Sequence, residues 1–301
     1  MNKIAAVVVG YHPDLAVLND LLASLVRQVD FLVLVDNGGS ESYLEASAEL
    51  RSLVHYVALD GNEGLGAALN VGFRLAVAAN MKYVVTFDQD SRADANLISR
   101  LYQAMQHATD KDPACIAVSP AFYDRRDGKK INFPFYASEE GKIRPVFTSD
   151  DPHGLVKADA LITSGMFVST KAWSEGIQYD EGMFVDFTDT EWCFRARSRG
   201  YSLYGCVDIE MGHALSDAPP VKFFGLSFFK YSPVRRYFFF RNTVAICRMS
   251  HTPACWKKRM LSALLLRFLV NLLIDKNRLL SLKMMARGVW HGWHKKLGGV
   301  N

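Results

Sequence analysis

The 301-residue sequence predicts an α/β protein, a mostly parallel sheet flanked by helices, with a helical extension at the C-terminal end. Three observations carry this. Over residues 1–120, short apolar runs alternate with stretches of 3.6-residue apolar period, as a parallel sheet with crossover helices requires. Several of the apolar runs end in Asp, on the rim where such sheets bind ligands. Residues 221–301 read as helices, with aromatic and basic side chains interleaved.

The elements follow in order. "IAAVVVG" is a buried first strand; one Lys and six apolar residues before Gly10 fall short of a secretory signal. "DLAVLNDLLASLVRQ" is an amphipathic helix, and "DFLVLVDNGGS" a second strand that passes through Asp36 into a turn. "LVHYVALD" is a third strand ending at Asp60, with a helix through Leu65, Leu69, Gly72 and Ala76 behind it. "KYVVTF" is the fourth and runs straight into Asp88 and Asp90. A helix from about Asp94 to His107 and a fifth strand, "CIAVS", complete this region. Beyond it, "DRRDGKKINFPF" suggests a hairpin or loop, "KADALITSGMFVST" a strand pair, and "TDTEWCFRARSRG" a helix ending at Gly200.

Composition narrows the class. The five cysteines are odd in number and form no C-x-x-C pair, which argues against a disulfide framework or zinc knuckle and favours the cytoplasm. Charge is divided unevenly: residues 1–220 hold 19 Lys and Arg against 30 Asp and Glu, whereas residues 221–301 hold 16 against Asp275 alone. A basic tail of this kind meets a polyanion or forms a solvated helical surface. Its longest apolar run, Leu261 to Ile274, carries Arg267 and Asn271 and is shorter than the roughly 20 residues a membrane span needs. Lys and Arg with Trp256, Phe268, Trp290 and Trp293 suit a helix lying among lipid headgroups. Packing of Leu264, Leu265, Phe268 and Leu272 on the rest of the chain is the other reading, and both stand. Nucleic acid is disfavoured, because no recognised basic motif appears and the acidic first 220 residues would repel phosphates.

The chemistry concentrates in acidic residues. In "FDQDS" three readings compete: a capped turn, a phosphatase nucleophile, or a divalent-ion site for a nucleotide diphosphate. Phosphatases of the haloacid-dehalogenase type place their Asp-x-Asp on the first strand, not the fourth. "DGNEGLGAALNVG" has glycines after a strand but lacks the G-x-G-x-x-G spacing of a dinucleotide loop. Close backbone approach to a ligand remains open there. A second cluster, "FVDFTDTEWCFRARSRG", holds Asp186, Asp189 and Glu191. Thr188 and Glu191 fit a capping box, and Asp189 would then lie in the first helical turn as a candidate general base. His213 follows a strand-like run and is a further candidate metal ligand.

Taken together, these stretches resemble a known family. "VVVGYHPD", "VLVDNGGS", "NEGLGAALNVG", "FDQDS", "LITSGMF", "FVDFTDTEWCFRARSRGY", "GH" and "SPVRRYFFFRN" occur in the order found in family 2 glycosyltransferases, in the rhamnosyltransferase-like branch that builds bacterial surface polysaccharides. The resemblance covers about residues 4–250 and departs at Gly10 and Tyr231, which concern details of the donor pocket.

It implies a GT-A fold, Rossmann-like, divided into a nucleotide-sugar-binding half (1–120), an acceptor and catalytic half (121–220), and basic amphipathic C-terminal helices (221–301). It implies inverting transfer, with dTDP-L-rhamnose as donor and a lipid-linked saccharide as acceptor. The enzyme would be peripherally bound to the inner face of the bacterial cell membrane and use Mg²⁺ or Mn²⁺. By position, Tyr11, Asp36, Asn62, Gly64, Asp88, Gln89, Arg236, Tyr237 and Arg241 would bind the donor. Asp88, Asp90 and His213 would hold the metal, and Asp189 would be the base. Glu191, Trp192, Ser164 and Gly165 would meet the acceptor. A metal-dependent phosphatase or nucleotidyl hydrolase, and a non-catalytic membrane-docking assembly protein, are the alternatives.

Overall fold

The computed structural model describes residues 2–38, 48–126, 129–212, 221–223, 226–228, 231–275 and 277–299. Every position of β1 (Ile4–Gly10) is buried, as a strand covered on both faces must be. Helix α1 (Leu15–Leu25) starts where the Asp14 carboxylate accepts the N–H groups of Ala16 and Val17. β2 (Phe31–Asp36), α2 (Ala48–Leu53), β3 (Val54–Ala58), α3 (Leu65–Ala78), β4 (Tyr83–Asp88) and α4 (Leu97–Lys111) continue the alternation. β5 (Cys115–Arg126) runs well past "CIAVS", and its far end pairs with β6 (Lys129–Asn132) in the expected hairpin. β7 (Phe135–Glu139) and β8 (Lys142–Val146) form a separate hairpin.

The strand pair expected in 157–170 does not form. β9 (Leu155–Lys157) lies at the sheet edge, whereas β10 (Met166–Ser169) inserts antiparallel between β4 and β5. Burial explains the separation: Met166, Phe167 and Val168 are all enclosed, as a central strand requires, while β9 is covered only at Leu155. After α5 (Thr170–Ser174), α6 (Thr188–Ser198) leads to β11 (Ser202–Gly212), which runs parallel to β5. The order is β3-β2-β1-β4-β10-β5-β11-β9, so one sheet passes through both 1–120 and 121–220.

Alternating side chains divide the core between two faces. Ala6, Val8, Leu34 and Phe87 pack with Leu18, Leu22, Leu101 and Met105 of α1 and α4. Ala5, Val7, Val33 and Val84 pack with Leu69, Phe73 and Ala76 of α3 and with Trp192 of α6.

The short strands β12 (Val221–Phe223) and β13 (Leu226–Phe228) precede the helices α7 (Pro233–Cys247), α8 (Ala254–Ile274) and α9 (Arg278–Trp293). α9 lies directly on α7: a Cβ added at Gly288 would fall 2.6 Å from the Tyr237 carbonyl oxygen. Leu264 joins Phe240, Val244 and Met285 in a small core, with Phe268 and Leu272 beside it, while Leu265 stays exposed. Among the described residues, no helix is long and apolar enough to cross a membrane.

Candidate active site

Strand register sets the rim. Gly10 lies opposite Asp36 and Val9 opposite Asp88, so the carboxyl ends of β2, β1 and β4 stand side by side. The turn after β4 is fixed at three points. The Ser91 N–H donates to the Asp88 carbonyl at 3.1 Å. The buried Ser91 and Ser164 hydroxyls lie 2.5 Å apart. The Gln89 amide pairs with the Tyr11 backbone in both directions, accepting its N–H at 2.6 Å and donating to its carbonyl at 3.1 Å. Asp90 is left exposed and Asp88 half-buried.

A second carboxylate is joined to this rim through Thr163. The Thr86 hydroxyl donates to the Thr163 carbonyl at 2.5 Å, and the Thr163 N–H donates to the Asp189 carboxylate. Thr86 and Asp88 are two residues apart on β4 and therefore share a face. Asp189 also accepts the Thr190 N–H at 2.6 Å and its hydroxyl at 3.2 Å. Burial pushes the Asp189 pKa above the usual carboxylate value; the Thr190 and Thr163 hydrogen bonds work against this, and the nearby Asp186 charge adds to it. Asp186 is raised by burial as well, with Arg235 opposing at 3.4 Å.

The chain reaches Asp189 through an unusual bend. Phe184, Asp186 and Phe187 all have φ between 52° and 66°, a region that non-glycine residues occupy at a cost. Neighbours hold them there. The Asn242 side-chain NH₂ lies within hydrogen-bonding distance of the Met183, Val185 and Asp186 carbonyls, at 2.5–2.9 Å. Arg241 donates to the Gly182 and Met183 carbonyls at 3.0 Å and also to that of Gly298. Phe184 stacks on Phe238 at 4.9 Å.

Several expected contacts are redrawn. No capping box forms, because Phe187 occupies the N-cap and Thr188 lies already inside the helix. Glu191 turns instead to Arg195 at 2.8 Å and His251 at 2.9 Å. Burial would raise its pKa, but these two partners outweigh burial and hold it below the usual value. Trp192 is core: its indole N–H donates to the Ile177 carbonyl at 2.9 Å and its ring stacks with Tyr179. Ser164 is fully buried, and Gly165 is a backbone joint at φ 70° whose N–H donates to Thr86. Both brace the rim.

On the donor side, Arg236 forms a buried ion pair with Asp275 and also donates to Ser281. The Tyr237 hydroxyl meets His291 Nδ1 at 2.6 Å. These groups and Arg241 hold the C-terminal helices and the 182–186 bend. Asp36 is fully enclosed, with the Tyr56 hydroxyl at 2.8 Å and the Gly38 N–H at 3.0 Å. Its carboxylate is not presented to a base. Gly64, at φ 92°, does permit a close approach, but to protein: a Cβ there would lie 2.7 Å from the Phe184 backbone. Asn62 is exposed, its oxygen accepting from Asn37 and from the Gly64 N–H. Tyr11 is exposed and packs against the Gly38 turn. His213 lies outside the described residues.

Asn37, Ser91, Thr163 and Asn242 were not anticipated. Each had a signal, since all four lie inside the quoted stretches "VLVDNGGS", "FDQDS", "LITSGMF" and "SPVRRYFFFRN". Among the described residues, no group of three or more His, Cys, Asp and Glu gathers to hold a metal ion. Asp88 and Asp90 are nevertheless the hard oxygen donors that Mg²⁺ or Mn²⁺ prefers when phosphate oxygens complete its shell. The donor set fits such an ion. What the arrangement offers is an acidic rim for a cation-bound anion, with a carboxylate of raised basicity tied beside it.

Similarity to known proteins gives the family and the fold. The profile of Glycosyl transferase family 2 matches residues 6–156. The dTDP-rhamnosyl transferase RfbF of Shigella flexneri is 33% identical over 252 residues, covering 84% of this chain and 82% of that protein. The low-salt glycan biosynthesis hexosyltransferase Agl10 of Haloferax volcanii is 23% identical over 234 residues, covering 71% of this chain and 67% of that protein. The crystal structure of GalNAc-T7 with UDP, GalNAc and Mn²⁺ superposes with a TM-score of 0.57 at 16% identity. That match covers 74% of this chain and 44% of the other, and its bearing is on the fold alone, which is GT-A.

Proposed function

Since this chain belongs to glycosyl transferase family 2, we propose that it moves L-rhamnose from dTDP-L-rhamnose onto a polyprenyl-diphosphate-linked saccharide, inverting the anomeric carbon. The product would be a segment of O-antigen or a related surface polysaccharide. The donor reading is supported by the 33% identity to a dTDP-rhamnosyl transferase. The mechanistic reading rests on one observation, the hydrogen-bonded path from β4 through Thr86 and Thr163 to Asp189.

In this mechanism Asp189 takes the proton from the acceptor hydroxyl as that oxygen bonds to the anomeric carbon. The bond from that carbon to the diphosphate breaks on the opposite side, and dTDP leaves with the electron pair. Burial makes Asp189 a stronger proton acceptor than an exposed carboxylate. Its bonds from Thr190 and Thr163 hold it in one orientation. Asp88 and Asp90 would hold Mg²⁺ or Mn²⁺, which when bound offsets the charge on the leaving diphosphate. Gln89 keeps those carboxylates registered against the end of β1. No covalent sugar–enzyme intermediate is needed, so a single base suffices.

Calorimetric titration of dTDP and UDP, each with and without Mn²⁺ or Mg²⁺, tests the donor assignment. The expected result is ion-dependent binding of dTDP that Asp90→Ala abolishes. Preference for UDP would keep glycosyl transfer and remove rhamnose. Binding of neither nucleotide would overturn the donor site.

A further inference from the structure

α8 and α9 carry an apolar face that no described part of the chain covers. Leu261, Leu265, Leu269 and Leu273 recur every fourth residue along α8, and Leu265 is 63% and Leu273 58% exposed. On α9, Leu279 is 81% exposed, and Trp290 and Trp293 also face outward. Between the helices runs an apolar groove of about 390 Å³, lined by Phe268 of α8 and by Met285, Val289, Trp290 and Trp293 of α9. The face is therefore continuous from one helix to the other. An unpartnered apolar surface of this extent marks a binding site.

Charge identifies the occupant. The sole acidic residue among positions 221–301, Asp275, is buried and bound to Arg236 at 2.8 Å. The segment thus presents no exposed Asp or Glu side chain, while Lys258, Arg259, Arg278, Lys283, Lys295 and Lys296 are exposed. A second copy seated face to face would bring like charges together. An anionic bilayer supplies both complements, hydrocarbon for the leucines and phosphate for the cations. Tryptophans near the edge suit the headgroup boundary. α8 has 21 residues, about 31 Å of helix, and with Lys257, Lys258, Arg259 and Arg267 it is not apolar enough to cross a bilayer but can lie along its surface.

We propose that the α8–α9 face docks into an anionic lipid bilayer, with the leucine line of α8 entering the headgroup boundary and the groove receiving acyl chain. The proposal rests on this surface and holds whichever sugar is transferred. Its test is cosedimentation with vesicles of phosphatidylglycerol in phosphatidylcholine and with vesicles of phosphatidylcholine alone. The variants are Leu265→Glu with Leu269→Glu, and Lys295→Glu with Lys296→Glu. The intact chain should bind the anionic vesicles at least about tenfold more tightly than the neutral ones, and less tightly at high salt. The leucine variant should lose binding at either salt, and the lysine variant should lose mainly the anionic preference. Unchanged far-UV circular dichroism and urea unfolding in both variants show that they are folded, and a glycosyl-transfer reading that failed would leave the vesicle result untouched. Vesicle binding indifferent to Leu265→Glu and Leu269→Glu would overturn the proposal. So would a failure to bind vesicles, accompanied by a dimer in light scattering that these substitutions dissociate.

Discussion

Asp88 and Asp90 stand at the end of a strand whose neighbours are fixed residue by residue, whereas Asp189 stands behind a bend held by side chains from much later in the chain. The first pair depends on β4 lying beside β1 and on a local turn closed by Ser91. The second depends on Arg241, Asn242 and Phe238 of α7, none of which belongs to the sheet. Solvation differs too. Asp90 is exposed, but Asp189 is partly enclosed and its pKa is raised by burial. A group that binds a hydrated ion benefits from access to water, and a group that takes a proton benefits from partial removal from it. The two regions therefore need different kinds of support, and the chain supplies each from a different source.

Substitutions should separate the two. Asp189→Asn keeps the shape and removes the base, so the rate of dTDP release in the presence of acceptor should fall by about 10²–10⁴. Affinity for dTDP should hold; a variant with near-normal turnover would disprove the assignment. Asn242→Ala strikes the bend without touching the rim. It leaves the Met183, Val185 and Asp186 carbonyls without their shared donor, at a cost of about 1–3 kcal/mol in stability measured by urea unfolding. Turnover should drop with it while dTDP affinity stays the same, and an equal loss of both would mean that bend and rim are one unit.

The smallest effect is a shift in pH dependence. Asp189 must be deprotonated to act, and its pKa is raised first by burial and further by the Asp186 charge. Activity should be lost as pH falls through that raised value, so the acid limb of kcat should lie above the ordinary Asp value of about 3.9. Asp186→Asn removes the neighbouring charge and should move the limb to lower pH. A limb that stays in place would mean that the titrating group is not Asp189.

What the sequence revealed follows the same division. β1 to β4 and the carboxylates that follow them were legible because short continuous apolar runs and strand-end Asp are local patterns. Asp189 does lie in the first turn of α6, although the capping box from which that position was read does not form. Glu191 was misassigned because the capping pattern says nothing about Arg195 and His251, which compete for the same carboxylate. Gly64 suggested a ligand nearby, yet the backbone that approaches it belongs to Phe184, over a hundred positions away. Arg236, Tyr237 and Arg241 were expected at a diphosphate from the family resemblance, and the α7 sequence does not disclose that Asp275, His291 and the 182–183 carbonyls are packed against them. Local pattern reports which residues are chemically able; only packing reports which are already engaged.

The bond from the Gly298 N–H to the Gly182 carbonyl, at 2.8 Å, also bears on the order of events during synthesis. A ribosome delivers the 182–186 bend more than a hundred residues before the segment that closes over it. The strands of the sheet are complete once β11 has been made, at Gly212, when the bend before α6 still lacks Arg241, Asn242 and Gly298. The nascent chain therefore acquires its rim early and the final setting of Asp189 late.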